Sequence, residues 1–375
     1  MKLGILAGEA SGDLLGQGLI TALQPSYPEL NVTGVGGSAM IKAGCHSLYD
    51  MERLSVMGFY EPLMRIGELI RMRSGLIKHF MANKPDVFVG IDSPDFNLGL
   101  EIKLRKAGIP VIHYVSPSVW AWRQYRIHKI AKAADLVLTL FPFEVDFYQK
   151  YDVAARFVGH PLADLIPLDI DKLAARKRLQ LDPQVTYVAL LPGSRRHELK
   201  NMGELFAASA KKCLQQNPAI QFITSAVNAA RDAEFKTLCE GLPMHFFAGK
   251  SHDVMAASDV VLVTSGTATL ETMLFKRPMV IVYRIGNITF QIAKRLITLP
   301  FIGLPNLLAK QSLVPEFIQD AATPDAIAHA LLDYLDHPEK ALALEKAFLD
   351  IHQQLRCHAN EQAAKAVRYI INKNI

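Results

Sequence analysis

Residues 186–200, TYVALLPGSRRHELK, decide how the chain is read. Residues 186–191 are apolar and carry β-branched Thr186 and Val188, the pattern of a short strand buried on both faces. Pro192 and Gly193 stop it, Ser194 is a good N-cap, and Arg195, Arg196, His197, Glu198 and Leu199 open a helix. A helix N-terminus attracts anions through its backbone N–H groups and dipole, and arginine adds planar, charge-assisted donors. A diphosphate is the natural ligand of such a turn. An ordinary βα turn with surface arginines has the same local pattern, so the turn alone leaves both readings open.

Outward from this stretch, strand-like and helical runs alternate. Strands are expected at 220–225, 244–247, 260–264 and 279–283 after it, and at 2–7, 31–36, 85–91, 110–115, 135–140 and 156–159 before it. Alternation without hairpin signals predicts parallel sheets with helices on both faces, here twice over with no sequence repeat between the halves. A chain of 375 residues suits two domains. The expected division is 1–165, 166–355 and a terminal helix within 356–375 that packs back on the first domain or on a partner chain. Residues 162–184, with Pro167 and Pro183, read as the connection.

Composition narrows the classes. Hydrophobic residues make up 50% and charged residues 21%, so a large core is available and global disorder is excluded. A net charge of +5 favours phosphate-bearing ligands or an anionic membrane surface. No block of like charge and no zinc-finger spacing points to nucleic acid. The four cysteines are scattered without a CxxC, as in reduced thiols. The N-terminus reads as a first strand, not a signal peptide, and no apolar run nears the roughly 18–20 residues of a membrane span.

Four further stretches carry chemistry. Gly8, Glu9, Ser11, Gly12 and Asp13 follow the first strand in a turn where a ligand can approach the backbone, though the dinucleotide fingerprint GxGxxG is absent. Asp92 and His113 end strands at the edge where parallel sheets bind ligands, and Trp120 follows as a core or stacking residue. Ser265, Gly266 and Thr267 form a second phosphate cradle, with Glu271 one helical turn on and suited to ribose hydroxyls. Residues 53–81 interleave Val56, Met57, Phe59, Leu63, Met64, Leu69 and Ile70 with Arg71 and Arg73. A basic amphipathic helix of this kind rests at a membrane interface or covers a sheet. Residues 288–304, with Lys294 and Arg295, repeat the theme. Asp169-Ile170-Asp171 is a D-x-D in a polar connection and reads as solvated surface, and no metal-site motif occurs.

Taken together, AGEASGD (7–13), PDVFVGIDSPDFN (85–97), HYVSPSVWAWR (113–123), LLPGSRRHE (190–198), SGTATLE (265–271), LPNLLA (304–309) and HQQLRCHANEQAA (352–364) resemble the lipid-A-disaccharide synthases. The resemblance implies a GT-B fold, α/β with two Rossmann-like doubly wound parallel-sheet domains facing a cleft. It implies an inverting transfer from UDP-2,3-diacylglucosamine to 2,3-diacylglucosamine 1-phosphate (lipid X), without cofactor or metal. The place would be the inner-membrane phospholipid surface on its cytoplasmic face, with room for a homodimer. It further implies that Arg195, Glu271 and Asn306 hold the UDP-sugar and that Asp92 deprotonates the acceptor; the two cradles add Gly193, Ser194, Ser265, Gly266 and Thr267 to the donor site, and His113, at a neighbouring strand end, competes with Asp92 for the role of base. Arg196-His197 departs from the smaller residues usual there, which leaves Arg196 without an assigned role. Other enzymes of UDP-GlcNAc with this fold, a 2-epimerase or the peptidoglycan N-acetylglucosaminyltransferase, and a non-catalytic nucleotide-sugar-binding membrane protein are the alternatives.

Overall fold

Short runs of β-branched and aliphatic residues, buried on both faces, build the two sheets. In a computed structural model, which describes residues 1–54, 60–122, 124–193, 196–225, 229–286, 290–291 and 299–373, they form thirteen strands. β1 (Lys2–Ala7), β2 (Asn31–Val35), β3 (Cys45–Ser47), β4 (Val87–Ile91), β5 (Val111–Tyr114), β6 (Leu136–Thr139) and β7 (Ala155–Phe157) make one sheet in the order β3-β2-β1-β4-β5-β6-β7. β8 (Tyr187–Leu191), β9 (Gln221–Thr224), β10 (Met244–Phe246), β11 (Val260–Thr264), β12 (Met279–Tyr283) and β13 (Glu316–Ile318) make the other, in the order β10-β9-β8-β11-β12-β13. Pairings are parallel throughout the described residues, as the alternation of strands and helices requires.

β3 and β13 were not expected from the sequence. Each is a three-residue edge strand, too short to show a periodicity. The central strands β4, β8 and β11 are buried at every position, which is why they read as continuous apolar runs.

The chain divides into two compact units, 1–164 with 355–375, and 165–354. In the first, the helix Ala359–Lys373 lays Ala363, Ala364, Ala366, Val367 and Ile370 into the core. Small residues let it approach the helix Ala10–Leu23 closely. A Cβ at Gly18 would lie 2.3 Å from Asn360 Oδ1. Asp164 caps the last helix from far away in sequence, accepting from the N–H groups of His358 at 2.9 Å and Ala359 at 2.6 Å.

In the second unit the helix Lys172–Arg178 is capped by Asp171, which accepts from Ala174 N–H at 2.8 Å. Asp169 and Asp171 are both exposed, so this D-x-D is a solvated turn and a helix cap. Buried Arg176 ties the segment to the sheet. It donates to Ala257 O, Pro183 O and the Asp259 carboxylate, the last at 2.7 Å. No helix of the described residues is long and apolar enough to cross a membrane.

The tightest strand contact is at Gly34, where a Cβ would sit 1.6 Å from Ile5 O. We expect Gly34→Ala to force β1 and β2 apart and to destabilise by at least about 2 kcal/mol. That corresponds to a fall in Tm of roughly 4–8 °C by calorimetry; an unchanged Tm would show that the strands can shift at no cost.

Candidate active site

At the carboxyl edge of the first sheet, β4 runs into two consecutive left-handed residues, Asp92 (φ 49°) and Ser93 (φ 44°). After β5, β-branched Val115 also has positive φ, at 74°. Each such non-glycine residue costs about 1–3 kcal/mol, and strain of this kind collects at functional sites. The turn is held by hydrogen bonds. Asp92 N–H donates to Tyr114 O at 2.9 Å, and Asn97 Nδ2 donates to Ile91 O at 3.2 Å and Asp92 O at 2.8 Å. The half-buried Asp92 carboxylate accepts no hydrogen bond from the described residues. It is therefore available to a ligand.

His113 on β5 pairs in register with Gly90 of β4. Its Nδ1 lies 2.7 Å from Glu101 Oε1, and both side chains are completely buried. A Cβ at Gly90 would fall 2.0 Å from that carboxylate oxygen, so glycine makes the space for Glu101. Burial alone would lower the affinity of His113 for a proton. The Glu101 charge and hydrogen bond, then the Asp92 charge, outweigh it and move the imidazole upward. Burial pushes the Glu101 carboxyl up, against the opposing pull of His113 and Lys129. The tight contact lets the two groups share one proton.

The Gly-rich turn after β1 packs on this edge. A Cβ at Gly8 would lie 2.2 Å from Ser93 Oγ, and one at Gly12 3.4 Å from Ile91 Cγ2. Glu9 and Ser11 are exposed there. Asp13 faces inward instead, accepting from the N–H groups of Gly37, Ala39 and Met40 at 2.8–3.0 Å. Its carboxylate organises the turn after β2.

Trp120 is oriented by a residue the sequence reading missed. Its Nε1 donates to Glu144 Oε1 at 2.9 Å, while Phe141 N–H donates to Glu144 Oε2 at 3.0 Å. Trp120 also meets Phe143 edge-on, with centroids 4.8 Å apart. Burial pushes the Glu144 carboxyl up to about 7, despite these hydrogen bonds. Burial takes nearby His160, stacked on Phe141, down to about 4.

In the second sheet, β8 leads through Pro192 to Gly193, whose φ of +107° suits glycine. A Cβ there would also lie 2.6 Å from Glu198 Oε2. Ser194 and Arg195 lie outside the described residues. β11 leads into the helix Thr267–Leu274, with Gly266 and Thr267 exposed at its start. Ser265 Oγ donates to Ile302 O at 3.1 Å, and Thr269 Oγ1 caps back onto Gly266 O at 2.7 Å. Glu271 Oε2 lies 3.4 Å from His252 Nε2, a contact that moves the imidazole upward.

Asn306 is completely buried, and its amide is fully used within the fold. Nδ2 donates to Val314 O at 2.9 Å and Glu316 Oε1 at 2.8 Å; Oδ1 accepts from the N–H groups of Leu313 and Val314 at 2.8 and 3.0 Å. An Asn amide makes four hydrogen bonds, so none remains for a ligand. Glu316 in turn accepts from Ile302 N–H and Gly303 N–H at 2.8 and 2.9 Å. Asn306 thus braces, through Glu316, the 302–303 loop that receives Ser265.

In the helix Tyr60–Ala82, Met72, Leu76 and Phe80 are buried, whereas Ile66 and Ile70 are 55% and 48% exposed, one turn apart. Arg71 is exposed, Leu69 is half-buried, and Arg73 lies over Phe96 at 5.9 Å. The helix therefore both covers the sheet and shows apolar residues to solvent. Val56, Met57 and Phe59 and the side chains of Leu63 and Met64 lie outside the described residues.

Asn97, Glu101, Glu144, His252 and Glu316 were not singled out in the sequence. Only Glu101 had a local signal, Gly90 inside an otherwise apolar strand, which marks a close approach. The rest meet their partners across 10 or more residues or in turns of no special pattern.

Two parallel α/β sheets, each with strained or glycine-containing turns at its carboxyl edge, define the GT-B class. Solved structures of that class match over nearly the whole chain. The UDP-GlcNAc 2-epimerase from Neisseria meningitidis, bound to UDP-GlcNAc, matches with TM-score 0.63 and 11% identity, covering 100% of both chains. A glycosyltransferase from Rickettsia africae matches with TM-score 0.62 and 10% identity over 100% of this chain and 99% of that one. The model of the lipid-A-disaccharide synthetase family matches residues 3–367. The lipid-A-disaccharide synthase of Cellvibrio japonicus is 48% identical over 374 residues, 99% of this chain and 97% of that protein. The chain belongs to the lipid-A-disaccharide synthase family, a family of glycosyltransferases.

Removing the Asn306 amide strands Leu313 N–H, Val314 N–H and Val314 O. Asn306→Ala is expected to destabilise by about 3 kcal/mol and to speed hydrogen exchange at Ile302 and Gly303; unchanged exchange at these two amides would refute the bracing role. Glu144 has a folded-state pKa above its unfolded one. Its contribution to stability is present below the unfolded value of 4.5 and is lost as pH rises through about 7. Gln does not titrate, so the Tm of Glu144→Gln is expected to rise relative to wild type between pH 4.5 and 7. A Tm difference independent of pH would rule this out.

Proposed function

We infer that the chain transfers 2,3-diacylglucosamine from UDP-2,3-diacylglucosamine to the 6-hydroxyl of 2,3-diacylglucosamine 1-phosphate. The products are a β-1,6 disaccharide 1-phosphate and UDP. The observation that carries this reading is the family match over residues 3–367, together with 48% identity to a named synthase along the full chain.

The acceptor hydroxyl must lose a proton as its oxygen attacks C1 of the donor sugar. Asp92 takes that proton. Its carboxylate lies at a strained strand end and accepts no hydrogen bond from the described residues, and a base needs a free lone pair within reach of the hydroxyl. The bond from C1 to the UDP oxygen breaks, and its electron pair leaves with the diphosphate. One in-line displacement inverts C1, so a single base is enough. The second unit supplies the stabilisation of the leaving group. Gly266 and Thr267 offer the start of a helix, and Arg195, carried over from the family motif, offers a guanidinium. These charges act without a metal ion. Glu271 accepts from the ribose hydroxyls. Asn306 acts indirectly, since its own amide is saturated.

Acylated substrates enter from a phospholipid surface. The exposed Ile66 and Ile70, beside Arg71, are suited to rest among acyl chains and headgroups on the cytoplasmic face of the inner membrane.

The test is UDP release from the two substrates in detergent with EDTA. Wild type should be active, and Asp92→Ala should lose about 10²–10⁴-fold in kcat while binding UDP as before. Full activity in the variant would remove Asp92 as the base, and loss of wild-type activity on adding EDTA would remove the metal-free mechanism.

A further inference from the structure

Behind Asp92 the structure holds a group of polar atoms that the transfer, as just described, does not use. His113 Nε2, Glu101 Oε2 and Asn97 Oδ1 are all buried and have no hydrogen-bond partner among the described residues. Buried polar atoms are nearly always paired, and three orphans at one strand end are unusual. Asn97 bonds the Asp92 carbonyl, Asp92 N–H bonds the carbonyl of the residue after His113, and Glu101 bonds the His113 ring. The backbone of Asp92 is thus held by the helix that carries Glu101, through Asn97, and by the strand that carries His113, through Tyr114 O.

We propose that Glu101 is a positioning residue for the transfer, acting through His113. Its carboxylate fixes the orientation of a ring on β5 that lies beside the strand end carrying Asp92, His113 pairing in register with Gly90, two residues before it. This inference rests on the reading of Asp92 as the base.

Three features make the pair more than a packed core contact. Both side chains are completely buried, where an unpaired ionised group is strongly disfavoured, so each needs the other. Glycine at 90 leaves room for Glu101 Oε1 against the strand, and any side chain there would displace it. The pair also interacts with Asp92 by charge, since the Asp92 carboxylate favours the protonated ring. Among the described residues, the further charge that acts on the pair is Lys129, on the helix Ile127–Ala133; Arg73, on the helix Tyr60–Ala82, borders Gly99 on the helix that carries Glu101. A carboxylate that bonds one imidazole nitrogen selects the tautomer and steadies the charged ring, leaving the second nitrogen to act on its neighbours.

The chemistry is an electrostatic one. As Asp92 accepts the acceptor's proton its negative charge disappears, and the ring loses the neighbour that favoured its protonated form. The Glu101–His113 pair keeps its single proton within its own hydrogen bond during this step. The ring on the strand beside Asp92 thereby keeps its geometry during the transfer.

The experiment compares Glu101→Gln, His113→Gln and the double variant with wild type and Asp92→Asn. Gln at 101 still accepts from Nδ1–H but removes the charge. Glu101→Gln is expected to lower kcat about tenfold to a hundredfold, a part of the contribution of a positioned base, with KM nearly unchanged and the acid limb of the pH–rate profile displaced. The double variant should lose no more than the worse single one, because Glu101 acts through His113. A folded Glu101→Gln protein with wild-type kcat and pH profile overturns the proposal, and so do losses that multiply in the double variant. Should the variants at 101 fail to fold, the His113 ring is followed by NMR in wild type and Asp92→Asn. The proposal expects the ring to titrate at lower pH in Asp92→Asn, and an unmoved titration overturns it. A wild type inactive on both substrates removes the functional reading and this inference together; an active wild type, an inactive Asp92→Asn and an unimpaired Glu101→Gln remove the inference alone.

Discussion

Each sheet is wholly parallel, so both faces of each must be covered by helices. Strands such as β4 and β11 are buried at every position and can carry almost no polar side chains. Polar chemistry is thereby driven to the carboxyl ends of the strands, where backbone N–H groups and helix starts are exposed. The turns after β4, β5, β8 and β11 hold positive-φ residues, namely Asp92, Ser93, Val115, Gly193 and Gly266. The site is a consequence of the sheet.

The exceptions are informative. His113 is a charged-type residue inside a central strand, and Glu101 meets it from the helix Pro94–Lys106. Such a pair is tolerated in a core only when each partner satisfies the other, since removing one leaves a buried charge at a cost of about 3–5 kcal/mol. The fold also accepts left-handed Asp92, Ser93 and Val115 in neighbouring turns. The left-handed residues after β4 and β5 and the buried Glu101–His113 pair thus lie on neighbouring elements of one unit.

In the second unit the comparable investment is in scaffolding. The fully satisfied amide of Asn306 and the carboxylate of Glu316 hold the 302–303 loop, and that loop takes the Ser265 hydroxyl. A residue in a motif can therefore matter to a ligand site without touching the ligand. The same holds for Asp13, which sits in a Gly-rich turn yet spends both oxygens on the turn after β2.

The alternation of apolar runs with helical ones determined the parallel sheets, because side-chain periodicity and β-branching are local properties of the chain. So did the position of Asp92 at a strand end and the family motifs. Edge strands β3 and β13 were not legible, since three residues define no period. Nor were the partnerships of His113 with Glu101, Trp120 with Glu144, or Asn306 with Glu316, because a hydrogen bond depends on atoms brought together by packing. Sequence names the donors and acceptors; only the tertiary structure decides which of them are already satisfied, and that separates the Asp92 carboxylate, which accepts no hydrogen bond from the described residues, from the saturated amide of Asn306.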